Sequence, residues 1–404
     1  MAQAAAAGAA PSGGGAASSN VGQNPFQICT NLYAEKNLQG LQTSLTTTTS
    51  AQQLGGQVNA GQFLRGVHLI HRLVTAGSGI TAVNGHAIAT NDGAMDLTQN
   101  ADLVNVDGSE ILYNMSAYAH YIMQKYSKPW LRDWVQSYDY NASSATNPGT
   151  YTLFLQPEIR WTAGVLANTD TRSQYRFDYT IAPVTVSTTQ PVISVTPYMD
   201  AWAQPDANDL QGTPNQPVPP GVNLQVKRRH QIFTLNSGAD NTLLSTLTGN
   251  AIRAAALITR LSTGGGLRAD GFSDPIYWYL DNRSLGRLNP DILRKWAEDQ
   301  YNTYSQFGSS NPATSDYYQN GNNASDGLAT TAGNYAGAPS NDFGVAIFPR
   351  FILPGELYGQ GWLYTANSTK LAWEFTAANS AATCELVVDE VYPVGNVDPT
   401  LVDI

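Results

Sequence analysis

Apolar and polar side chains alternate between positions 171 and 181. Thr171, Ser173, Tyr175, Phe177, Tyr179 and Ile181 fall on one side, and Arg172, Gln174, Arg176 and Asp178 on the other. A period of two over this length predicts a strand with one buried face. The rule returns late in the chain, where Leu371, Trp373 and Phe375 alternate with Lys370, Glu374 and Thr376. Tyr175 is matched by Trp373 and Phe177 by Phe375, so the aromatic core positions are kept while surface charge changes sign. An earlier pair of segments, 63–73 and 251–261, echoes in the same way. Arg65, Leu69, Ile70, Arg72 and Leu73 recur as Arg253, Leu257, Ile258, Arg260 and Leu261. Val67, Leu69 and Leu73, like Ala255, Leu257 and Leu261, are expected on the buried face of a strand. Each copy runs into a glycine-bearing turn, at Gly77 and Gly79 and at Gly264 to Gly266. The two echoes have nearly one offset, so they describe a single long repeat of domain size, far beyond a solenoid unit.

A helical period appears once in each half. Ser109 is expected to cap a helix with Ile111, Leu112, Met115, Ala119, Ile122 and Met123 along one face. In the second half, Asn289 before Pro290 marks a helix start, followed by Ile292, Leu293, Trp296, Ala297 and Tyr301. Residues 204–221 hold five prolines and two glycines, which predicts an extended, stiff connector. The expected organisation is a disordered Ala/Gly/Ser-rich tail (1–25), a first domain (26–203), this linker (204–221), a second domain (222–395) and a C-terminal tail (396–404). Residues 308–341 read as a long surface loop. The fold class is all-β, with one helix in each half.

Composition sharpens this picture. Charged residues are 13% of 404, against abundant Gly, Thr, Asn, Ser and Ala, which suits strands and turns. A net charge of -10 argues against direct binding of duplex nucleic acid, which rests on clustered Lys and Arg. Residues 1–25 lack the basic start and Leu-rich middle of a secretory signal. Cys29 and Cys384 do not make a disulfide framework, and the reading is synthesis in a reducing cytoplasm.

The search for chemistry returns no catalytic, cofactor-binding or metal residue, and no cofactor. His68 and His71 face opposite sides of a strand, and their counterparts are Ala256 and Thr259. His86, His120 and His230 are scattered. Asp389 and Glu390 form the tightest late acid pair, read as a solvated strand end rather than half of a glycosidase dyad. Lys227, Arg228, Arg229 and His230 form the one basic cluster, read as a subunit contact or solvated edge before a lipid or nucleic-acid contact.

The stretch 247–258, the turn 266–270 bearing Arg268 and Asp270, and the strand 275–282 ending in Leu280 and Asp281 resemble double jelly-roll major capsid proteins, above all those of tectiviruses, tailless icosahedral phages with an internal membrane. The first half is similar more loosely, through 63–70 and 105–112. The resemblance implies two tandem eight-stranded jelly rolls in each chain. It implies a homotrimer forming a pseudo-hexameric capsomer, neighbouring capsomers, minor capsid or vertex proteins, contact with an internal membrane, and a place in the virion shell. It implies no enzyme. The rival classes are a carbohydrate-active β-sandwich, raised by eight Trp and 21 Tyr, and another virion protein such as a spike or vertex subunit.

Overall fold

The computed structural model describes residues 28–32, 45–58, 60, 62–75, 77–83, 86–87, 93–127, 150–159, 164–170, 172, 174–202, 224–261, 271–272, 275–289, 292, 344–349, 362–378 and 381–393. The two tails, the connector 204–221 and the loop 308–341 lie outside them.

The two repeated segments are the strands Gln62–Thr75 and Ala251–Leu261. Each is the hub of a sheet with one design. In the first half, Gln62–Thr75 pairs with Val192–Trp202 on one side and with Thr150–Leu155 and Leu166–Asn168 on the other. Ile28–Leu32 pairs beyond Val192–Trp202. In the second half, Ala251–Leu261 pairs with Ala381–Pro393 and with Val345–Pro349 and Leu363–Tyr364. Leu224–Thr234 pairs beyond Ala381–Pro393. Each half adds a second group of four strands. These are Gln52–Gln57, Arg176–Ile181, Thr98–Val104 and Glu110–Met115 in the first, and Asp240–Ser245, Leu371–Thr376, Ile276–Leu280 and Arg283–Leu288 in the second.

The alternation read from sequence sets which side chains are buried. Phe177, Tyr179 and Ile181 are buried while Arg176 is exposed, and Leu371, Trp373 and Phe375 are buried beside half-buried Glu374. Burying side chains of this size contributes about 1.5–3 kcal/mol each. In the second core Trp373 lies 6.0 Å from Trp278, nearly parallel, and Phe348 meets Trp278 edge-on at 5.2 Å.

Two expectations need correction. The strand predicted over 171–181 starts only at Arg176. Upstream, the Asp170 carboxylate accepts a hydrogen bond from the Arg172 backbone N–H at 2.8 Å, a local turn that competes with extended pairing. The first helix is also shifted. Glu110–Met115 is a strand, and the helix is Ala117–Ser127, capped by Ser116, whose Oγ accepts from Ala119 N at 3.2 Å. Ser109 instead donates to Asp107 Oδ1 in a turn that Gly108 closes at φ 86°. In the second half Asn289 Oδ1 accepts from Ile292 N at 3.0 Å, as its cap role predicts; Leu293 to Tyr301 lie outside the described residues.

The halves share one sheet. Glu110–Met115 lies parallel to Leu224–Thr234 through Leu112 and Arg228, so four first-half strands continue into the second-half hub. The helix Ala117–Ser127 packs on Ala251–Leu261 and Ala381–Pro393. One apolar core accordingly runs from Leu54 and Phe177 through Ile122 to Ala254, Ala256, Ile258 and Val387. The second half keeps a separate core around Trp373 on the other face of its hub.

Candidate functional site at the junction of the halves

The hub strands each carry a β-bulge at their repeated arginine. On Gln62–Thr75, Leu64 and Gly66 face Ala201 and Asp200, and Arg65 is the extra residue. On Ala251–Leu261, Ile252 and Ala254 face Glu390 and Asp389, and Arg253 is the extra residue. A bulge bends its strand and re-aims the side chain it carries. Here it turns each arginine onto an aspartate of the next strand, Arg65 to Asp200 at 3.0 Å and Arg253 to Asp389 at 2.7 Å.

In the second half this pair becomes the lock between the halves. Arg253 gives Nε and Nη2 to Asp389 Oδ1, and Nη1 to the Ile159 carbonyl of the first half at 3.3 Å. Arg228 gives Nη2 to Asp389 Oδ2 at 3.1 Å and Nη1 to His120 Nδ1 at 3.3 Å. His120, on the helix Ala117–Ser127, gives Nε2–H to the Ala101 carbonyl at 2.7 Å, which leaves Nδ1 as the acceptor facing Arg228. All four side chains are buried. Burial, and then the Arg228 charge, push His120 down to about 3, so it is neutral over the physiological range. Burial also works against the Arg228 charge, and Asp389 opposes that effect.

The first-half twin is built from the opposite excess of charge. Arg65 bonds Glu158 Oε2 at 2.8 Å as well as Asp200, and Trp202 Nε1 donates to Glu158 Oε1 at 3.1 Å. The guanidinium also lies 5.4 Å from the Trp202 ring centroid. Beside it His68 stacks on Phe154 at 3.7 Å, with Nε2 3.7 Å from Asp200.

Most residues singled out from sequence have a place, whereas the side chains of His86 and Cys29 lie outside those described. His68 and His71 do face opposite sides, and burial alone pushes His71 down to about 3. The described residues hold no group of three or more metal-ligating side chains. Asp389 and Glu390 are not a solvated strand end, because both are wholly buried. Asp389 takes the two arginines, and Glu390 takes Arg229 and Asn250, since the strand Ala381–Pro393 lies between two hydrogen-bonded neighbours. The cluster from Lys227 to His230 is likewise neither a solvated edge nor free for an outside anion. Arg228 and Arg229 pair as described, His230 Nδ1 meets Glu385 at 2.8 Å, and Lys227 lies over the Tyr113 ring at 5.4 Å. The Glu385 bond, foremost, raises the His230 pKa. His120 and His230, scattered in sequence, engage neighbouring strands here, His120 through Arg228 and His230 through Glu385. Cys384 is a free thiol inside the second core, where burial raises its pKa.

Sequence reasoning missed the aspartates. Asp200 and Asp389 recur at nearly the offset of the arginines, and that coincidence was available in the sequence.

The chain is similar over 90% of its length to a chain in the atomic structure of Sulfolobus turreted icosahedral virus, with 90% of that chain covered, 11% identity and a TM-score of 0.56. It is similar to the STIV major capsid protein in its crystal structure, over 90% of this chain and 96% of that one, with 11% identity and a TM-score of 0.54. The chain is a double jelly roll. Two units of one design, each with its bulged hub and a further group of four strands, account for the duplication that the sequence displays. No protein-family model matches, and no curated protein matches. At this identity the likeness is one of fold; the repeat made the doubling legible, and the resemblance to the capsid family implied the double jelly roll.

Proposed function

We propose that this chain is a major capsid protein, a structural subunit that trimerises into a pseudo-hexameric capsomer and tiles an icosahedral virion shell. The observation that carries the reading is the fused tandem architecture: two similar units held at a fixed angle by one continuous sheet and a buried ion-pair lock. Three such chains present six similar units around an axis, the outline that tiles a flat lattice. The likeness in fold to the coat of an icosahedral virus, over nine-tenths of both chains, supports the same reading. Its domain limits are 26–203 and 222–395, joined by the stiff connector 204–221.

Neighbouring capsomers and minor vertex proteins are its partners, and an internal membrane underlies the shell. The net charge of -10 supports that last element, since a shell separated from its genome by a membrane has no phosphate charge to neutralise. The role is structural, not enzymatic. The acids that a carbohydrate-active reading would recruit, Asp389 and Glu390, are engaged by Arg228, Arg253 and Arg229.

Native mass spectrometry of the purified full chain tests the proposal. A particle of three chains is expected. A stable monomer that hydrolyses glycans would contradict it.

A further inference from the structure

The duplication leaves one relationship used only once within the chain. The outer edge of Glu110–Met115 lies against the outer edge of Leu224–Thr234 and joins the two halves. Each of these edges has a twin. The twin of Leu224–Thr234 is Ile28–Leu32, because both pair antiparallel with the strand carrying the repeated aspartate. Among the described residues Ile28–Leu32 pairs only with Val192–Trp202. The twin of Glu110–Met115 is Arg283–Leu288, which ends the second four-stranded group and pairs, among the described residues, only with Ile276–Leu280. An edge strand presents a row of backbone donors and acceptors that templates another strand.

The register locates the counterparts. Arg228 faces Asp389 and bridges to Leu112. Asp200, the twin of Asp389, faces Thr30. Leu112 faces Leu103, which faces Phe177; in the second half Trp373 faces Trp278, and the antiparallel register carried two residues further sets Phe375, the match of Phe177, opposite Ile276, which faces Leu288, so Leu288 holds the Leu112 position. Leu112 is wholly buried by the junction, whereas Leu285 and Leu288 remain half-buried. The hub faces differ in the same sense. Ala256, covered by the helix Ala117–Ser127, has as its twin His68, half-buried on the outer side of the first hub.

We infer that Arg283–Leu288 of one chain lies parallel to Ile28–Leu32 of a second copy, so that sheets run on from chain to chain as they run from half to half. The contact joins two different surfaces, the kind that generates closed rings when the rotation closes. Closure after three chains rests on the capsomer reading above. The face around Arg65, His68 and Phe154 then receives the second half of the neighbouring chain, as the Arg253 face receives the first half of its own.

Engineered cysteines test this. Adjacent strands lie about 4.8 Å apart, within the Cα separation of about 4.4–6.8 Å that a disulfide bridges. A full chain carrying Thr30→Cys and Leu288→Cys, with Cys29→Ser to remove the native thiol on that strand, is oxidised and run on a non-reducing gel. Chain-to-chain bands of two and three chains are expected, with neither single variant giving them. Assembly to three chains by native mass without such bands would overturn the inference and leave the capsomer reading standing. A chain that stays monomeric would overturn both. Should the variant fail to fold, hydrogen exchange on the unmodified protein decides. Amides of 28–32 and 283–288 are expected to slow on assembly, and unchanged exchange there would refute the contact.

Discussion

Arg253 gives two hydrogen bonds to one oxygen of Asp389, at 2.9 and 2.7 Å, from the bulge between Ile252 and Ala254. Both side chains are buried, and Arg228 takes the other oxygen. A buried ion pair of this kind is weak evidence for net stability, because desolvation offsets much of the attraction. Its value lies in geometry. It fixes the first half against the second through Ile159 and His120.

Asp389→Asn leaves two buried guanidiniums without their carboxylate. The expected loss is about 3–5 kcal/mol of unfolding free energy, the range for breaking a buried pair by removing one partner. Urea denaturation of the wild type and the variant measures it. A loss below about 1 kcal/mol would mean that the cluster is open to solvent.

His120 and His71 titrate far below the ordinary histidine range because burial disfavours their charged forms, with Arg228 adding to the effect at His120. Both folded-state values, about 3, lie below the ordinary histidine value of 6.5. Their stabilising contribution is therefore present above pH 6.5 and is lost as pH falls toward 3. Each lowers stability by about 1.4 kcal/mol per pH unit across that window. Urea midpoints between pH 7 and pH 4 should fall steeply, and His120→Gln should flatten the slope.

Asp102 and Asp178 face each other on adjacent strands. Burial first, then Asp178 and Glu110, raise Asp102 to about 7. A raised folded-state value means a contribution present below pH 3.8 and lost as pH rises through 7. Asp102→Asn removes the buried charge and its repulsion, and it is expected to stabilise the protein at pH 8 by more than about 1 kcal/mol, since linkage is worth about 1.4 kcal/mol per pH unit, and to change little at pH 4. Thermal unfolding at the two pH values checks the sign.

Gly66 occupies the position of Ala254 in the other copy, yet the two are not interchangeable. A Cβ on Gly66 would meet the Leu155 carbonyl oxygen at 2.6 Å and Phe154 Cε2 at 2.7 Å. Gly66→Ala is expected to cost about 1–3 kcal/mol by overpacking, measured by denaturation. A neutral result would show that Thr150–Leu155 can shift.

Much of this architecture was legible in the sequence, and the reasons differ by element. Phe177, Trp373 and Phe375 announced a repeated half-buried strand because a period of two records one buried face, and Tyr175 is buried one residue before that strand begins. The capping error at Ser109 arose because Ile111 and Leu112 satisfy a helical stripe as well as a strand, and only the turn at Asp107 and Gly108 decides between them. The junction was hidden for another reason. Its members, His120, Arg228, Arg253 and Asp389, are each at least 25 residues apart and meet only through strand pairing and the packing of the helix Ala117–Ser127 on those strands. Asp389 and Glu390 read as solvated because charge in sequence suggests surface, whereas both sit on a strand hydrogen-bonded on either side. The bulges at Arg65 and Arg253 are a property of register, which no local pattern records.

The central claim is that the doubled unit exists to make a tile. Electron microscopy of the assembled, unmodified chain tests it most directly. The account predicts hexagonally outlined capsomers of three chains packed edge to edge. Isolated single-chain particles, or trimers without six similar lobes, would contradict it.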